Sequence, residues 1–159
     1  AVFYSISNCQ TGLAGISFGN SLIKQVAADL ARDLPGLSTF VTLSPIPGLN
    51  RWLTASDIAA DNLGQDQALA AHYLLKAKKP DGTPLDPVAR FHLGNGAKVH
   101  AVHALADTSD NGLKQSNGTM VNYLYDLAQI SQNHEKFVGD KAVVASASVR
   151  SLSASVKTK

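Results

Sequence analysis

Four side chains in this sequence can take part in acid–base or hydrogen-bond catalysis. Ser44 follows the run "STFVTL" and opens the turn "SPIPG", whose two prolines fix the backbone and hold the hydroxyl rigidly. His92 closes a short helical pattern before "LGNG", and an imidazole can exchange a proton near neutral pH. Tyr123 and Tyr125 in "NYLY" share one face of a strand, where a phenol can donate to a developing oxyanion. Each residue also has an ordinary structural interpretation, as a turn serine, a core histidine or a sheet-packing tyrosine.

The elements that must position these residues alternate between strands and helices. The first predicted strand covers residues 2–8, a helix begins at Asn20 and stops at Pro35-Gly36, and a second strand covers "STFVTL". Such a β-α-β unit is expected to have parallel strands. The remaining predicted elements are two helices in residues 50–76 broken at Gly64, the Asp86-capped helix "PVARFHL", a strand in "AKVHAVHAL", a loop "DTSDNGLKQSNG", a strand in "TMVNYLYDL" and a last helix from Lys141.

The turn after the first strand contains glycines at positions 12, 15 and 19 and leads into a helix. Unpaired backbone N–H groups and the positive end of a helix dipole make such a turn a suitable site for a phosphate. The same pattern also serves as a simple tight turn, so the loop alone does not decide the ligand.

Composition excludes several classes of protein. The 159 residues carry a net charge of only +2, whereas a dedicated nucleic-acid binder has a strong basic excess. No apolar run is long enough to cross a bilayer, and the lone Cys9 has no partner for an internal disulfide. His100 and His103 are three positions apart, and this odd spacing places them on opposite faces of a strand and disfavours a metal site.

Four segments, in this order, resemble the C-terminal catalytic part of malonyl-CoA decarboxylases: "FYSISNCQTGLAGISFGNSLIKQV", "LSPIPG", "LDPVARFHLGNGA" and "MVNYLYDL". The resemblance spans almost the whole chain. It implies an α/β (α+β) fold similar to the GCN5-related N-acetyltransferases, with a mixed sheet flanked by helices. Residues 1–159 would then be a C-terminal, acyl-CoA-binding catalytic domain, and the upstream strands and helical N-terminal domain would belong to the rest of a longer chain.

The resemblance also implies a site. The family's serine, histidine and tyrosine map onto Ser44, His92 and Tyr125. Its pyrophosphate-binding loop maps onto Gln10, Thr11, Gly12, Leu13, Ala14 and Gly15. The implied reaction converts malonyl-CoA to acetyl-CoA and carbon dioxide through a thioester enolate, with no metal and no cofactor beyond the coenzyme A of the substrate.

Two assignments of roles are open at this point. Ser44 can orient the malonyl group while His92 donates a proton to carbon, or Ser44 can hold the enolate oxygen while His92 holds the carboxylate. Tyr125 is a supporting donor in both. The sequence departs from the family pattern at Ser17, where the family has a glutamate. Lys24 and Arg51 are the candidates nearest the loops for the 3′-phosphate of coenzyme A.

The expected partners are malonyl-CoA or acetyl-CoA, a second copy of the chain in a homo-oligomer and the N-terminal region, with no nucleic acid and no membrane. We expect a bacterial cytoplasmic protein, with mitochondria and peroxisomes as open alternatives. The rival functions are an acyltransferase of the same fold that uses acetyl-CoA and a non-catalytic acyl-CoA-binding module. The departure at Ser17 keeps the second rival open.

Overall fold

The computed structural model describes residues 1–4, 18–56, 58 and 64–157. Within this part of the chain the elements are β1 (Val2–Tyr4), α1 (Phe18–Asp33), β2 (Val41–Pro45), α2 (Leu49–Ala55), α3 (Asp66–Lys76), α4 (Pro87–Gly94), β3 (Lys98–His103), α5 (Asp110–Ser116), β4 (Met120–Leu124), α6 (Ile130–Asp140) and α7 (Ala147–Ser155).

The described strands form one mixed sheet in the order β1-β2-β4-β3. Strands β1 and β2 are parallel, with Val2 opposite Val41, as the predicted β-α-β unit requires. Strand β4 is antiparallel to both of its neighbours, β2 and β3. The sheet therefore places the end of β2, which carries Ser44, directly beside β4.

The second strand begins later than the sequence predicts. Its expected span was residues 38–43, whereas β2 runs from Val41 to Pro45. The Val41 N–H donates to the Ala1 carbonyl at 3.0 Å, and pairing with β1 is recorded from this point onward. Before this point the described residues make only single contacts to neighbouring segments of the sheet, from the Ala1 amino group to the Thr39 carbonyl and from the Tyr125 N–H to the Phe40 carbonyl. The pairing with both neighbouring strands therefore starts at Val41.

Three helices, α5, α6 and α7, differ from the sequence-based expectation. The segment "DTSDNGLKQSNG", predicted as a loop, contains α5, which is capped by Ser109 and ended by Asn117 in the left-handed conformation. The last helix was expected from Lys141, but Lys141 has a φ of +54° and ends α6 instead. Helix α7 begins after Ser146, whose hydroxyl accepts the Val149 N–H. These corrections follow from local caps that apolar spacing does not reveal.

The core lies between the sheet and the helices packed against it. Helix α3 contributes a nearly continuous buried run, and it packs against α7. Burial of this apolar surface supplies most of the driving force that holds the sheet and helices together. Among the described helices, none has the length and apolar character needed to cross a membrane. The largest fully buried side chains include Phe40, Ile46, Leu49, Tyr73, Leu74, Leu93, Val99, Val121, Tyr123, Tyr125 and Val149.

Candidate active site

Ser44, His92 and Tyr125 are far apart in the sequence but form one continuous chain of polar contacts. The Ser44 Oγ lies 3.3 Å from the His92 Nε2, and the His92 Nδ1 lies 2.8 Å from the Tyr125 phenolic oxygen. The three residues are 4%, 2% and 1% exposed, respectively. The structure thus brings together all three side chains that the family resemblance singles out.

The sheet contributes two of these side chains from one of its faces. Ser44 lies opposite Val121 of β4, and the Tyr125 N–H donates to the Phe40 carbonyl at 2.8 Å, so pairing continues beyond β4. Tyr123 and Tyr125 are both buried, as expected for side chains two residues apart on one face. The contact surface for His92 is therefore built from two adjacent strands.

Helix α4 brings the histidine to this face. Asp86 caps the helix by accepting the Ala89 N–H at 2.8 Å, and Pro87 occupies its first turn. The helix ends at Gly94, so His92 lies in its last turn and points into the interior. The predicted cap, first residue and end of this helix are all confirmed.

A tight turn fixes the end of α4. Gly96 has a φ of +83°, and a Cβ on it would lie 2.2 Å from the Ile130 carbonyl oxygen. The Asn133 side-chain amide donates to the Gly96 carbonyl at 3.2 Å. Because only glycine fits this conformation and this close approach, α6 can pack directly on the turn that follows His92.

The surroundings of His92 favour its neutral form. Burial lowers the pKa of His92 to about 4, so the imidazole is uncharged at pH 7. The Tyr123 ring is stacked on it with a centroid distance of 4.5 Å and an interplanar angle of 23°. Burial also raises the pKa of Tyr125 well above its usual value, so that residue is a phenol and not a phenolate. A neutral imidazole between two hydroxyl groups can both donate and accept a hydrogen bond.

Asp86 is a second perturbed group close to the site, and sequence reasoning treated it only as a helix cap. It is fully buried, and burial raises its pKa to about 6. Its Oδ2 has no hydrogen-bond partner in the described part of the chain, and the same holds for the Tyr123 phenol.

Thr42 was not among the predicted site residues, although its hydroxyl lies 2.8 Å from that of Ser44. The available signal was its position two residues before Ser44, on the same face of the strand.

The other histidines have contacts that fit structural roles. The His72 Nδ1 lies 3.1 Å from the Ser153 carbonyl, and the His134 Nδ1 lies 2.7 Å from the Gly94 carbonyl. His100 occupies a bulge in β3, which breaks the regular alternation that its sequence spacing from His103 assumes. Within the described residues, no group of three or more potential metal ligands is clustered.

The predicted pyrophosphate-binding loop, Gln10, Thr11, Gly12, Leu13, Ala14 and Gly15, lies outside the described residues, as does Ser17. What the structure does describe is the helix that follows, which begins at Phe18, two residues before the predicted Asn20. Of the two candidate cations for the 3′-phosphate, Lys24 is half-buried on α1 and Arg51 is exposed on α2.

Sequence comparison agrees with this geometry. The model of the malonyl-CoA decarboxylase C-terminal domain matches residues 1–67 and 60–159, which together cover the chain. The chain belongs to this family. The mitochondrial malonyl-CoA decarboxylase of Anser anser anser is 34% identical, and the match covers 95% of this chain and 39% of that protein. The chain thus spans about two fifths of the length of the curated relatives that it matches.

Solved structures extend the comparison to the fold. The malonyl-CoA decarboxylase from Rhodopseudomonas palustris is 47% identical, with a TM-score of 0.85, and the match covers 96% of this chain and 41% of that one. The GphF GNAT-like decarboxylase, solved in complex with isobutyryl-CoA, has a TM-score of 0.50 at 24% identity, and the match covers 80% of this chain and 56% of that one. The second likeness concerns the fold alone. The predicted fold class is therefore confirmed.

Proposed function

We propose that the protein to which this malonyl-CoA decarboxylase C-terminal domain belongs converts malonyl-CoA to acetyl-CoA and carbon dioxide. The observation that carries the proposal is the buried chain of contacts from Ser44 through His92 to Tyr125. Membership of the family supports the choice of substrate.

The bond changes of the reaction define what the site must do. Cleavage of the bond between the carboxylate and the methylene carbon releases carbon dioxide, and the bonding electron pair passes into the thioester as an enolate. Protonation of the carbon then uses that pair to form a C–H bond. The site must therefore orient the carboxylate, stabilise the enolate oxygen and deliver one proton. We propose that no cofactor beyond the coenzyme A of the substrate takes part, because the thioester carbonyl itself accepts the electrons.

The contacts support one of the two role assignments. A neutral His92 carries no positive charge with which to hold a carboxylate, but it can give the proton on Nε2 to a carbon atom on the Ser44 side. We therefore assign proton donation to His92 and orientation of the malonyl group to Ser44. Tyr125 supports the imidazole at Nδ1, and the proton that His92 loses is replaced from solvent.

Coenzyme A is proposed to bind through its pyrophosphate on the loop Gln10, Thr11, Gly12, Leu13, Ala14 and Gly15. Helix α1 begins at Phe18, three positions after Gly15, and the N-terminus of a helix favours an anion. Residues 1–159 would be the acyl-CoA-binding catalytic domain of the longer protein. Homo-oligomerisation and association with the N-terminal region remain predictions. We also propose a bacterial cytoplasmic protein, since identity to the Rhodopseudomonas palustris protein is 47% against 34% for the mitochondrial protein of Anser anser anser.

The test is chromatographic and uses the full-length protein with malonyl-CoA as the only substrate. We expect acetyl-CoA to form, and Ser44→Ala and His92→Ala each to lower the rate by roughly a hundredfold or more. His72→Asn is the matched control, because His72 contacts a main-chain carbonyl outside the site and asparagine can keep that contact.

Two other results would contradict parts of this proposal. Binding of coenzyme A without turnover would instead favour an acyltransferase that awaits its acceptor, or a binding module. Turnover that survives both substitutions would overturn the assigned roles.

A further inference from the structure

The backbone pairing between β2 and β4 is modified at Thr42, directly beside the candidate site. Regular pairing with β4 is present at Val41, Ser44 and Pro45. At Thr42 the side chain takes part: its Oγ1 accepts the Tyr123 N–H at 3.2 Å, while its carbonyl accepts the side-chain amide of Asn122. Thr42 is fully buried. A main-chain hydrogen bond therefore holds its hydroxyl oxygen in place.

The Thr42 oxygen also receives the proton of Ser44. The Ser44 hydroxyl donates to the Thr42 Oγ1 at 2.8 Å. A hydroxyl oxygen has two lone pairs, and the Tyr123 N–H and the Ser44 hydroxyl occupy both of them. The Thr42 oxygen thus acts as an acceptor toward both neighbours, and the Ser44 proton points to Thr42.

The direction of that hydrogen bond sets the proton position on His92. Since the Ser44 proton points to Thr42, the Ser44 oxygen presents a lone pair to the His92 Nε2, 3.3 Å away. A contact of this kind needs the proton on Nε2. The other ring nitrogen, Nδ1, is then unprotonated and accepts the Tyr125 hydroxyl at 2.8 Å. In this order the Tyr125 hydroxyl donates to Nδ1, the Nε2–H donates to Ser44, and the Ser44 hydroxyl donates to Thr42.

We propose that Thr42 is a positioning residue that holds the proton of His92 on Nε2, the nitrogen facing Ser44. This inference rests on the proposed decarboxylation for its catalytic meaning. Thr42 acts through Ser44 and does not itself need to touch the substrate. Without its oxygen, the Ser44 hydroxyl can turn and donate to Nε2, which moves the imidazole proton to Nδ1, away from the reacting carbon.

Two substitutions isolate the hydroxyl. Thr42→Val replaces it with a methyl group of similar size, and Thr42→Ser restores it. Thr119→Val is the matched control: Thr119 is also fully buried, but its hydroxyl has no hydrogen-bond partner in the described part of the chain. In the full-length protein we expect Thr42→Val to lower kcat by roughly tenfold, about the net effect of one hydrogen bond, with KM for malonyl-CoA nearly unchanged. Thr42→Ser should recover most of the loss, and Thr119→Val should show none.

Nitrogen-15 NMR of histidine-labelled full-length protein reads the tautomer without relying on turnover. We expect His92 to carry its proton on Nε2 in the unsubstituted protein and to shift toward Nδ1 in Thr42→Val. A proton on Nδ1 in the unsubstituted protein overturns the inference, even if Thr42→Val does not fold. So does an unchanged tautomer in Thr42→Val, or an equal loss of kcat in Thr42→Val and Thr42→Ser. If the protein does not decarboxylate malonyl-CoA, the proposed function fails, and the tautomer still decides the role of Thr42.

Discussion

The protonation state of His92 gives a quantitative expectation for the pH dependence of activity. Burial lowers its pKa to about 4, compared with an ordinary value of 6.5. At pH 5.5 a group with a pKa of 4 is about 3% protonated, whereas a group with a pKa of 6.5 is about 90% protonated. If neutral His92 is the active form, kcat should therefore stay almost constant from pH 8 down to pH 5.5.

The assay is the rate of acetyl-CoA formation at saturating malonyl-CoA from pH 5 to 8. Titration of Asp86 could also change the rate within this pH range, because burial raises its pKa to about 6. Asp86→Asn removes that titration and keeps an oxygen that can cap α4. A loss of activity near pH 6.5 that persists in Asp86→Asn, accompanied by an NMR titration of His92 at that pH, would refute the reasoning.

The same pKa has a consequence for stability, with a definite sign. The pKa of His92 is lower in the folded protein than in the unfolded chain, so protons bind preferentially to the unfolded chain. The contribution of His92 to stability is complete above pH 6.5 and is lost as the pH falls from 6.5 toward 4. His92→Gln should remove this part of the acid sensitivity in thermal melts, while its activity is lost for a separate reason.

Three further predictions concern the helix cap, the turn after His92 and the proposed coenzyme A loop. Because the pKa of Asp86 is raised from 3.8 to about 6, its burial as a carboxylate costs about 3 kcal/mol at neutral pH. As the pH increases from 4 to 6, the melting temperature of Asp86→Asn should therefore rise relative to that of the unsubstituted protein. A difference in melting temperature that stays constant over this pH range would contradict the prediction. Gly96→Ala should destabilise the fold by about 2 kcal/mol or more in thermal or denaturant unfolding, since its Cβ would lie 2.2 Å from the Ile130 carbonyl oxygen at a φ of +83°; Gly36→Ala, with no atom near its Cβ, is the control. Gly12→Leu should weaken coenzyme A binding in calorimetry, because a side chain at this position blocks close approach of the backbone to the pyrophosphate, while the melting temperature changes little. Unchanged affinity would place the phosphate site elsewhere.

Local chemistry made α4 predictable. Asp86 followed by Pro87 is a start signal that depends on neighbouring residues alone, and the glycines after His92 give an equally local stop. The same kind of signal was present for α5, where Ser109 and Asn117 form the caps, but apolar spacing was weak there and the helix was missed. Helix α6 was also missed, and its N-cap residue, Gln129, makes no side-chain capping hydrogen bond. Its end at Lys141 depends on a positive φ that lysine rarely adopts.

The sequence by itself determined the strands and the helix that carry the three site residues, the cap that starts α4, and the identity of Ser44, His92 and Tyr125 through the family resemblance. Only the tertiary structure decided what these residues do to one another. Residues 48 and 33 positions apart come within hydrogen-bond distance because β2, β4 and α4 pack on one another. Their shared burial lowers the pKa of His92, and the Thr42 hydroxyl oxygen, held by the Tyr123 N–H, accepts the Ser44 hydroxyl. Both effects depend on desolvation and on contacts between distant segments, which no local pattern of residues specifies.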